Sequence, residues 1–370
     1  MQHHPRTILP PELVHTIRRY APDTEAEGQL PPAILELIYR NRWFQLLVPR
    51  DSGGLERPLP EVVRVFEALA WAEASTGWCV NLGAGANMFA GYLDALASKN
   101  IFDDPATCCA GSGAISGKAL RTTGGYFLSG RWKYASGANH ATHFTANAWL
   151  LDEEGAALTE DGQPVFRSFI VPAARIINHR NWNAIGLKAT SSNDFEATDV
   201  FVPERHVFTL LRPSSFAGGP LYRFPFTQLA IVNMSCMITG IALHFLDLYR
   251  ELAQSKRPLH SDILLSDHPK ARAIADTAER RLTEARATMY AALDSAWTGY
   301  ANGGAAAAPQ LQELSTACRH ASGAAYRLLN ELYPLFGMSI LDPQTAYSKV
   351  WRDGMTASQH YLMSPLSADT

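Results

Sequence analysis

Apolar residues recur at helical spacing in the first hundred positions, over Pro11 to Tyr20, Pro31 to Asn41, Pro60 to Ala74 and an apolar run from Trp78 to Leu96. Such spacing gives a helix one oily face, and proline near the start of three segments stands where its missing N–H costs least. Around Thr107 the period shortens to two. Tyr126 to Leu128, Trp132 and Tyr134 flanking Lys133, Phe144 to Leu151, Val165 to Val171 and Phe195 to Val202 alternate in this way, with Gly124-Gly125, Ser129-Gly130 and Asp161-Gly162 as turns between them. An antiparallel sheet is predicted. From Pro225 helical spacing returns, most plainly at Ala271, Ile274, Ala275, Ala278, Leu282, Ala285, Met289 and Ala292. Two last helices, Leu311 to Leu332 and Tyr347 to Leu362, are parted by a Gly/Pro-marked connection from Gly337 to Pro343. The expected class is α+β, mainly α: an N-terminal helical domain over residues 1–105, a central antiparallel β domain over 106–212 and a C-terminal four-helix bundle over 213–370.

Leu229 to Leu246 contains no Asp, Glu, Lys or Arg over 18 residues, near the lower limit for a membrane-spanning helix. It carries Asn233, Ser235, Thr239 and His244, which suits a central helix buried on all sides of a bundle, so no membrane partner is expected. Across 370 residues, 47% hydrophobic and 18% charged residues describe a globular chain. A net charge of -3 leaves no electrostatic footprint for nucleic acid, and small molecules become the expected partners. Five cysteines without regular spacing fit a reduced cytoplasm, and the opening MQHHPRTILPPELV shows no signal peptide.

Few motifs carry chemistry by themselves. His140 and His143 lack a third ligand, so no metal is expected and a structural role is favoured. The run Gly83 to Gly91 lacks a preceding strand and the last spacing of a dinucleotide fingerprint, so it reads as close helix packing, with Asn87 and Met88 as candidate walls of a substrate pocket. Cys108-Cys109 lacks CxxC spacing and reads as a pair of small buried residues.

Six stretches change this picture: WFQLLVPRDSGGLE (Trp43 to Glu56), ASTGWCVNLGAGANMFAG (Ala74 to Gly91), SGRWKYASGANHATHF (Ser129 to Phe144), GLKATSSNDFEATDVFVPE (Gly186 to Glu204), PLYRFPF (Pro220 to Phe226) and WRDGMTASQH (Trp351 to His360). In this order they resemble the acyl-CoA dehydrogenase superfamily, in the branch of flavin-dependent monooxygenases that includes dibenzothiophene monooxygenase and the oxygenase component of 4-hydroxyphenylacetate hydroxylase. The resemblance implies an acyl-CoA dehydrogenase-like fold and the oxygenase half of a two-component system. A separate NAD(P)H:flavin reductase would supply reduced FMN or FAD, and oxygen would form a C4a-hydroperoxide that oxygenates a small aromatic or heteroatom-containing substrate. A homo-oligomer, tetramer or dimer, is implied as well.

The resemblance also assigns residues. Tyr134 and Ser136 would contact the flavin, with Ser136 near N5 as a catalytic candidate, since a hydroxyl can donate to the oxidised ring or accept from N5–H of the reduced one. Trp182 and the run Thr190, Ser191, Ser192 would lie beside the flavin, with Arg352 as a further cofactor contact, and Ser112 would touch substrate. The place of the superfamily's diphosphate-binding Arg reads Lys256-Arg257-Pro258-Leu259. The dehydrogenases' catalytic Glu falls near Tyr361 or Ala230, and neither is acidic. His360 takes its place as a catalytic and substrate-binding candidate, seven residues after Asp353 and so on the same face of one helix. The alternatives are an acyl-CoA dehydrogenase or oxidase with an atypical base and a non-catalytic flavin-binding protein.

Overall fold

The computed structural model describes residues 4–210, 216–364 and 366. Six helices come first: α1 (Pro11–Arg19), α2 (Ala21–Glu27), α3 (Pro32–Arg40), α4 (Leu59–Ala72), α5 (Ala74–Asn87) and α6 (Ala95–Phe102). Helices α4 and α5 are separated at Glu73, whose extended backbone (φ -159, ψ 125) and carboxylate cap α5 by accepting from the Ser75 and Thr76 amides. The apolar run Trp78 to Leu96 is accordingly not one helix; α5 ends at Asn87, and a 3-10 segment, Met88–Tyr92, leads towards α6.

The strands are β1 (Cys109–Thr122), β2 (Gly125–Ala135), β3 (His143–Leu151), β4 (Thr159–Glu160), β5 (Gln163–Pro164), β6 (Phe166–Pro172), β7 (Ile177–Asn178), β8 (Asn193–Pro203) and β9 (Val207–Phe208). Seven of them form one sheet in the order β7-β8-β2-β1-β3-β6-β9, while β4 and β5 make a small hairpin. The sheet is mixed rather than wholly antiparallel. After the β1–β2 hairpin the chain crosses to the other side of β1, so β3 must run parallel to β1, with Cys109 opposite His143 and Leu120 opposite Leu151. Trp132, Phe144, Phe169 and Phe195 fill one side, and Trp132 stacks on Phe195 at 5.1 Å.

The remaining helices are α7 (Pro220–Arg223), α8 (Phe226–Ala253), α9 (Pro269–Ala301), α10 (Ala308–Leu332) and α11 (Ala346–Ala357). The charge-free α8 lies at the centre, with α4, α5, α9, α10 and α11 all packed on it, and its most apolar window is 94% buried. Helices from both ends of the chain therefore share one core. Gly240 makes the closest approach possible: a Cβ there would lie 2.4 Å from the Glu67 carbonyl oxygen on α4. Beside that contact the Glu67 carboxylate, 1% exposed, accepts from the Arg286 guanidinium at two points (2.6 and 2.6 Å), Tyr290 Oη (2.8 Å) and Thr239 Oγ1 (2.7 Å). One carboxylate thus joins α4, α8 and α9.

A buried pair broken from one side leaves an uncompensated charge, which costs about 3–5 kcal/mol. Arg286→Met is expected to lower unfolding stability by about that much, read by urea denaturation at neutral pH. A loss below about 1 kcal/mol, the range of exposed pairs, would show that Glu67 is satisfied without its cation.

Candidate active site

Strand β2 delivers Ser136. Its register with β8 shifts between Trp132 and Ala135, and Tyr134 takes a positive φ of 68°, so the strand kinks before it ends. Gly137 (φ 84°) completes the turn and leaves Ser136 buried. Opposite it, the segment after Gly186 is pinned to α11, where a Cβ on Gly186 would lie 2.1 Å from the Arg352 carbonyl oxygen. Leu187 (φ 50°) and Ser191 (φ 46°) also stand in the left-handed region, a local cost that the surrounding contacts sustain.

These two turns bring hydroxyls into a file. Trp78 Nε1 donates to Ser136 Oγ (3.0 Å), which lies 2.8 Å from Ser192 Oγ; Ser192 lies 2.7 Å from Thr190 Oγ1, and Thr190 donates to the Leu187 carbonyl (2.8 Å). Trp182 Nε1 donates to the same carbonyl at 2.9 Å, and its ring meets Tyr134 edge-on. Ser191 turns away, its hydroxyl donating to the Gly28 carbonyl.

The Trp78 indole has a second neighbour. Its ring and that of His360 meet at 6.0 Å and 64°, so Ser136 and His360 both contact one tryptophan from α5. His360 is not on the face of Asp353: α11 ends at Ala357, and His360 has an extended backbone (φ -62, ψ 132) that caps the 3-10 turn Tyr361–Met363. The expectation of a shared helical face fails because the helix stops two residues short of the histidine's turn. Its Nδ1 accepts from the Leu362 amide (3.4 Å), which leaves the proton of the neutral ring on Nε2. Burial lowers its pKa to about 4.

Beneath this arrangement Lys349 of α11 donates to both Glu73 and Asp353 Oδ2 (2.7 Å). Asp353 Oδ1 accepts from the Leu187 amide at 2.6 Å, and Glu73 Oε2 accepts from the Thr76 amide and hydroxyl at 2.7 Å each. Burial raises both carboxyls and lowers the ammonium, but the mutual attraction keeps Lys349 above the ordinary lysine value and Glu73 below the ordinary carboxylate value. Asp353, with fewer donors, stays raised.

Several expected contacts take other work. Asn87 donates to the Phe44 and Thr107 carbonyls (3.0 and 2.7 Å) and accepts from the Cys109 amide (2.9 Å), so it is committed to backbone rather than to a substrate, and Met88 is wholly buried. Arg352 spends Nη1 on Glu25 and the Ile185 carbonyl and Nη2 on the Pro343 carbonyl, and its buried Nε is left without a partner. Ser112 lies on β1 and accepts from Ala114. Lys256 is held by the Phe336 carbonyl and by Ser339. His140 stacks on Phe44 and His143 meets Thr142. The sequence reading missed Trp78, Glu73 and Lys349 as site residues. It also missed Asn81 and Asn233, buried on facing helices with Asn81 donating to the Asn233 carbonyl and both side-chain oxygens left without a partner.

Residues 232–365 match the family described as acyl-CoA dehydrogenase, C-terminal domain. That match runs from within α8 to the C-terminal turn after α11. Its relatives include the indole-3-acetate monooxygenase of Acinetobacter baumannii, 24% identical over 94% of this chain and 87% of that protein. The flavin-dependent monooxygenase oxygenase subunit HsaA of Rhodococcus jostii is 25% identical over 95% and 93%. Among solved structures, XiaF from Streptomyces, in complex with FADH2 and glycerol, superposes with a TM-score of 0.86 over 95% of this chain and 91% of that one, at 24% identity. The fold of that structure thus runs over nearly the whole length of this chain, in which the strands of the mixed sheet come between the helices of the two ends in sequence.

His360, His140 and His143 are all lowered to about 4, chiefly by burial, against about 6.5 in the unfolded chain. The unfolded state therefore binds more protons between those values; the stabilisation is complete above about pH 6.5 and lost as pH falls through about 4. His140→Phe, which keeps a ring against Phe44, is expected to reduce proton uptake on unfolding near pH 5 by about one, measured as a shallower pH dependence of urea stability. An unchanged slope would mean that His140 is already protonated in the folded protein. For His360 the nitrogen spectrum of 15N-histidine-labelled protein is expected to show a neutral Nε2–H ring at pH 6, and an imidazolium signal there would contradict the burial argument.

Proposed function

We propose that this enzyme is the oxygenase component of a two-component flavin-dependent monooxygenase. Reduced FMN or FAD, delivered by a separate NAD(P)H:flavin reductase, supplies two electrons and the carbon that activates oxygen. One oxygen atom enters a small organic substrate and the other leaves as water. The observation that carries the reading is the Trp78 indole, which touches Ser136 through its N–H and His360 through its ring. A neutral hydroxyl and a neutral imidazole N–H on either side of one aromatic ring suit the edge of an isoalloxazine. A hydroxyl at N5 limits loss of the N5 proton, and an Nε2–H donor steadies oxygen bound beside it without delivering a full charge.

The dehydrogenase alternative requires a carboxylate free to take an α-proton. Among the described residues, the buried acids Glu67, Glu73, Asp194 and Asp353 each bond a cationic side chain. Tyr361, at one of the two positions where the superfamily's base would stand, is 70% exposed. The unpartnered oxygens of Asn81, one turn of α5 beyond Trp78, and of Asn233 on α8 offer acceptors to a substrate that brings N–H or O–H groups, such as a phenol or an indole. Such rings are also electron-rich enough to attack electrophilic oxygen.

The test mixes anaerobic protein carrying reduced FMN or FAD with oxygenated buffer. We expect oxidised flavin to return at least tenfold more slowly than from free reduced flavin, and hydrogen peroxide release to fall when a coupled phenol or indole is present. Return at the rate of free flavin would leave only a flavin-binding protein. Anaerobic bleaching of bound oxidised flavin by acyl-CoA thioesters would establish the dehydrogenase instead.

A further inference from the structure

The hydroxyl file between Trp78 and Leu187 has two different ends. An indole N–H can only donate, and a carbonyl oxygen can only accept. Three hydroxyls, each with a single proton, link them at 2.7 to 3.0 Å. All three are buried, Thr190 at 0%, Ser192 at 5% and Ser136 at 8% exposure, so an unmade bond there is costly.

The proton positions follow. Thr190 spends its proton on the Leu187 carbonyl, so in its contact with Ser192 it accepts. Ser192 then has no proton for Ser136, and Ser136 must donate to Ser192 while it accepts from Trp78. Every proton in the file points towards Leu187. Ser136 is left with one lone pair and no proton for anything that binds in front of it.

We infer that Thr190 and Ser192 are positioning residues that turn the Ser136 hydroxyl into an acceptor only, so that it discriminates in favour of a flavin bearing a proton at N5. The inference rests on the proposed flavin reading of the site. Reduced flavin presents N5–H and completes the file. Oxidised flavin presents a bare N5 lone pair, and it must either face the Ser136 lone pair or break one link. The Leu187 carbonyl that sets the direction is itself fixed, since the Leu187 amide is held by Asp353 and Gly186 is packed against the backbone of α11. Discrimination between the two redox states is thereby tied to the helix that leads to His360.

The two ends of the file differ in what their removal does. Thr190→Val removes the last hydroxyl, which frees the Ser192 proton to reverse towards Ser136 and lets Ser136 donate outward. Ser192→Ala likewise frees the Ser136 proton. Trp78→Phe removes only the incoming donor, and the carbonyl end still draws the remaining protons away from the ligand. The measurement is anaerobic titration of the full chain with FMN and with FAD, each oxidised and reduced, together with the midpoint potential of the bound flavin.

We expect Thr190→Val and Ser192→Ala to lower the ratio of oxidised to reduced Kd about tenfold, equal to a fall of about 30 mV in the two-electron potential. Trp78→Phe is expected to weaken both forms alike and leave the ratio in place, and Thr190→Ser, which keeps the hydroxyl and guards against a folding defect, to retain the wild-type ratio. An unchanged ratio in Thr190→Val, or an equal shift in Trp78→Phe, would overturn the inference while leaving the flavin reading intact. Absence of binding by either redox form to the wild-type protein would overturn the flavin reading itself.

Discussion

A single ammonium group, that of Lys349, lies between two carboxylates from distant parts of the chain, and the geometry of the candidate site hangs on it. Glu73 caps the helix that carries Trp78, and Asp353 holds the amide of the residue whose carbonyl ends the hydroxyl file. Two buried carboxylates on one cation form an unbalanced set, which survives because backbone amides and Thr76 supply further donors. An isolated buried pair contributes little net stability against an apolar replacement. Its value here is positional: the triad links α5, α11 and the Leu187 turn to one another.

The same allocation constrains the chemistry. Removal of an α-proton needs a carboxylate free of cations, and among the described residues of this chain the buried acids are each bonded to a cation. Glu67 is consumed in joining α4 to α8 and α9, and Asp194 is bonded to Arg131 at 2.9 Å. Among the described residues the buried carboxylates serve as fasteners rather than as a free base, and the groups that face Trp78 include neutral ones: hydroxyls and an imidazole. Neutral donors and acceptors hold an uncharged or singly protonated species without strongly shifting its acidity, which suits a reaction whose hazard is premature loss of a proton.

The succession of helix, sheet and helix was legible because periodicity survives in each segment, and the charge-free stretch at Leu229 to Leu246 identified the central helix by what it lacks. Strand β1 was not legible. Its sequence CAGSGAISGKALRT holds glycine and small residues where alternation would normally show, and its pairing with β3 depends on a crossover that no local pattern encodes. Ser136 and His360 could be singled out through resemblance, but not the residue that brings them together. Trp78 reads as one more apolar position on a helix, because periodicity records burial and is blind to what an indole N–H points at. The Asp353–His360 spacing misled for a related reason: seven residues share a face only while the helix continues, and nothing between Gly354 and Gln359 announces that it stops at Ala357.

Direction is a property of the hydroxyl file that neither spacing nor residue type contains. Each Ser or Thr can donate or accept, so the run Thr190-Ser191-Ser192 is ambiguous as sequence; it acquires a sense only when one end meets a group that cannot donate and the other a group that cannot accept. Ser191, in the middle of the run, is excluded from the file by its left-handed backbone and turned to Gly28, so two adjacent serines have unrelated roles. Because the carbonyl end is anchored through Leu187 to Asp353, and Asp353 to Lys349, the acceptor character of Ser136 is set by a salt-bridged triad with which it makes no contact. Selectivity for one redox state of a ligand can therefore be presented by a neutral hydroxyl, provided the protons of the file have only one consistent arrangement and charged groups behind it hold the last acceptor still.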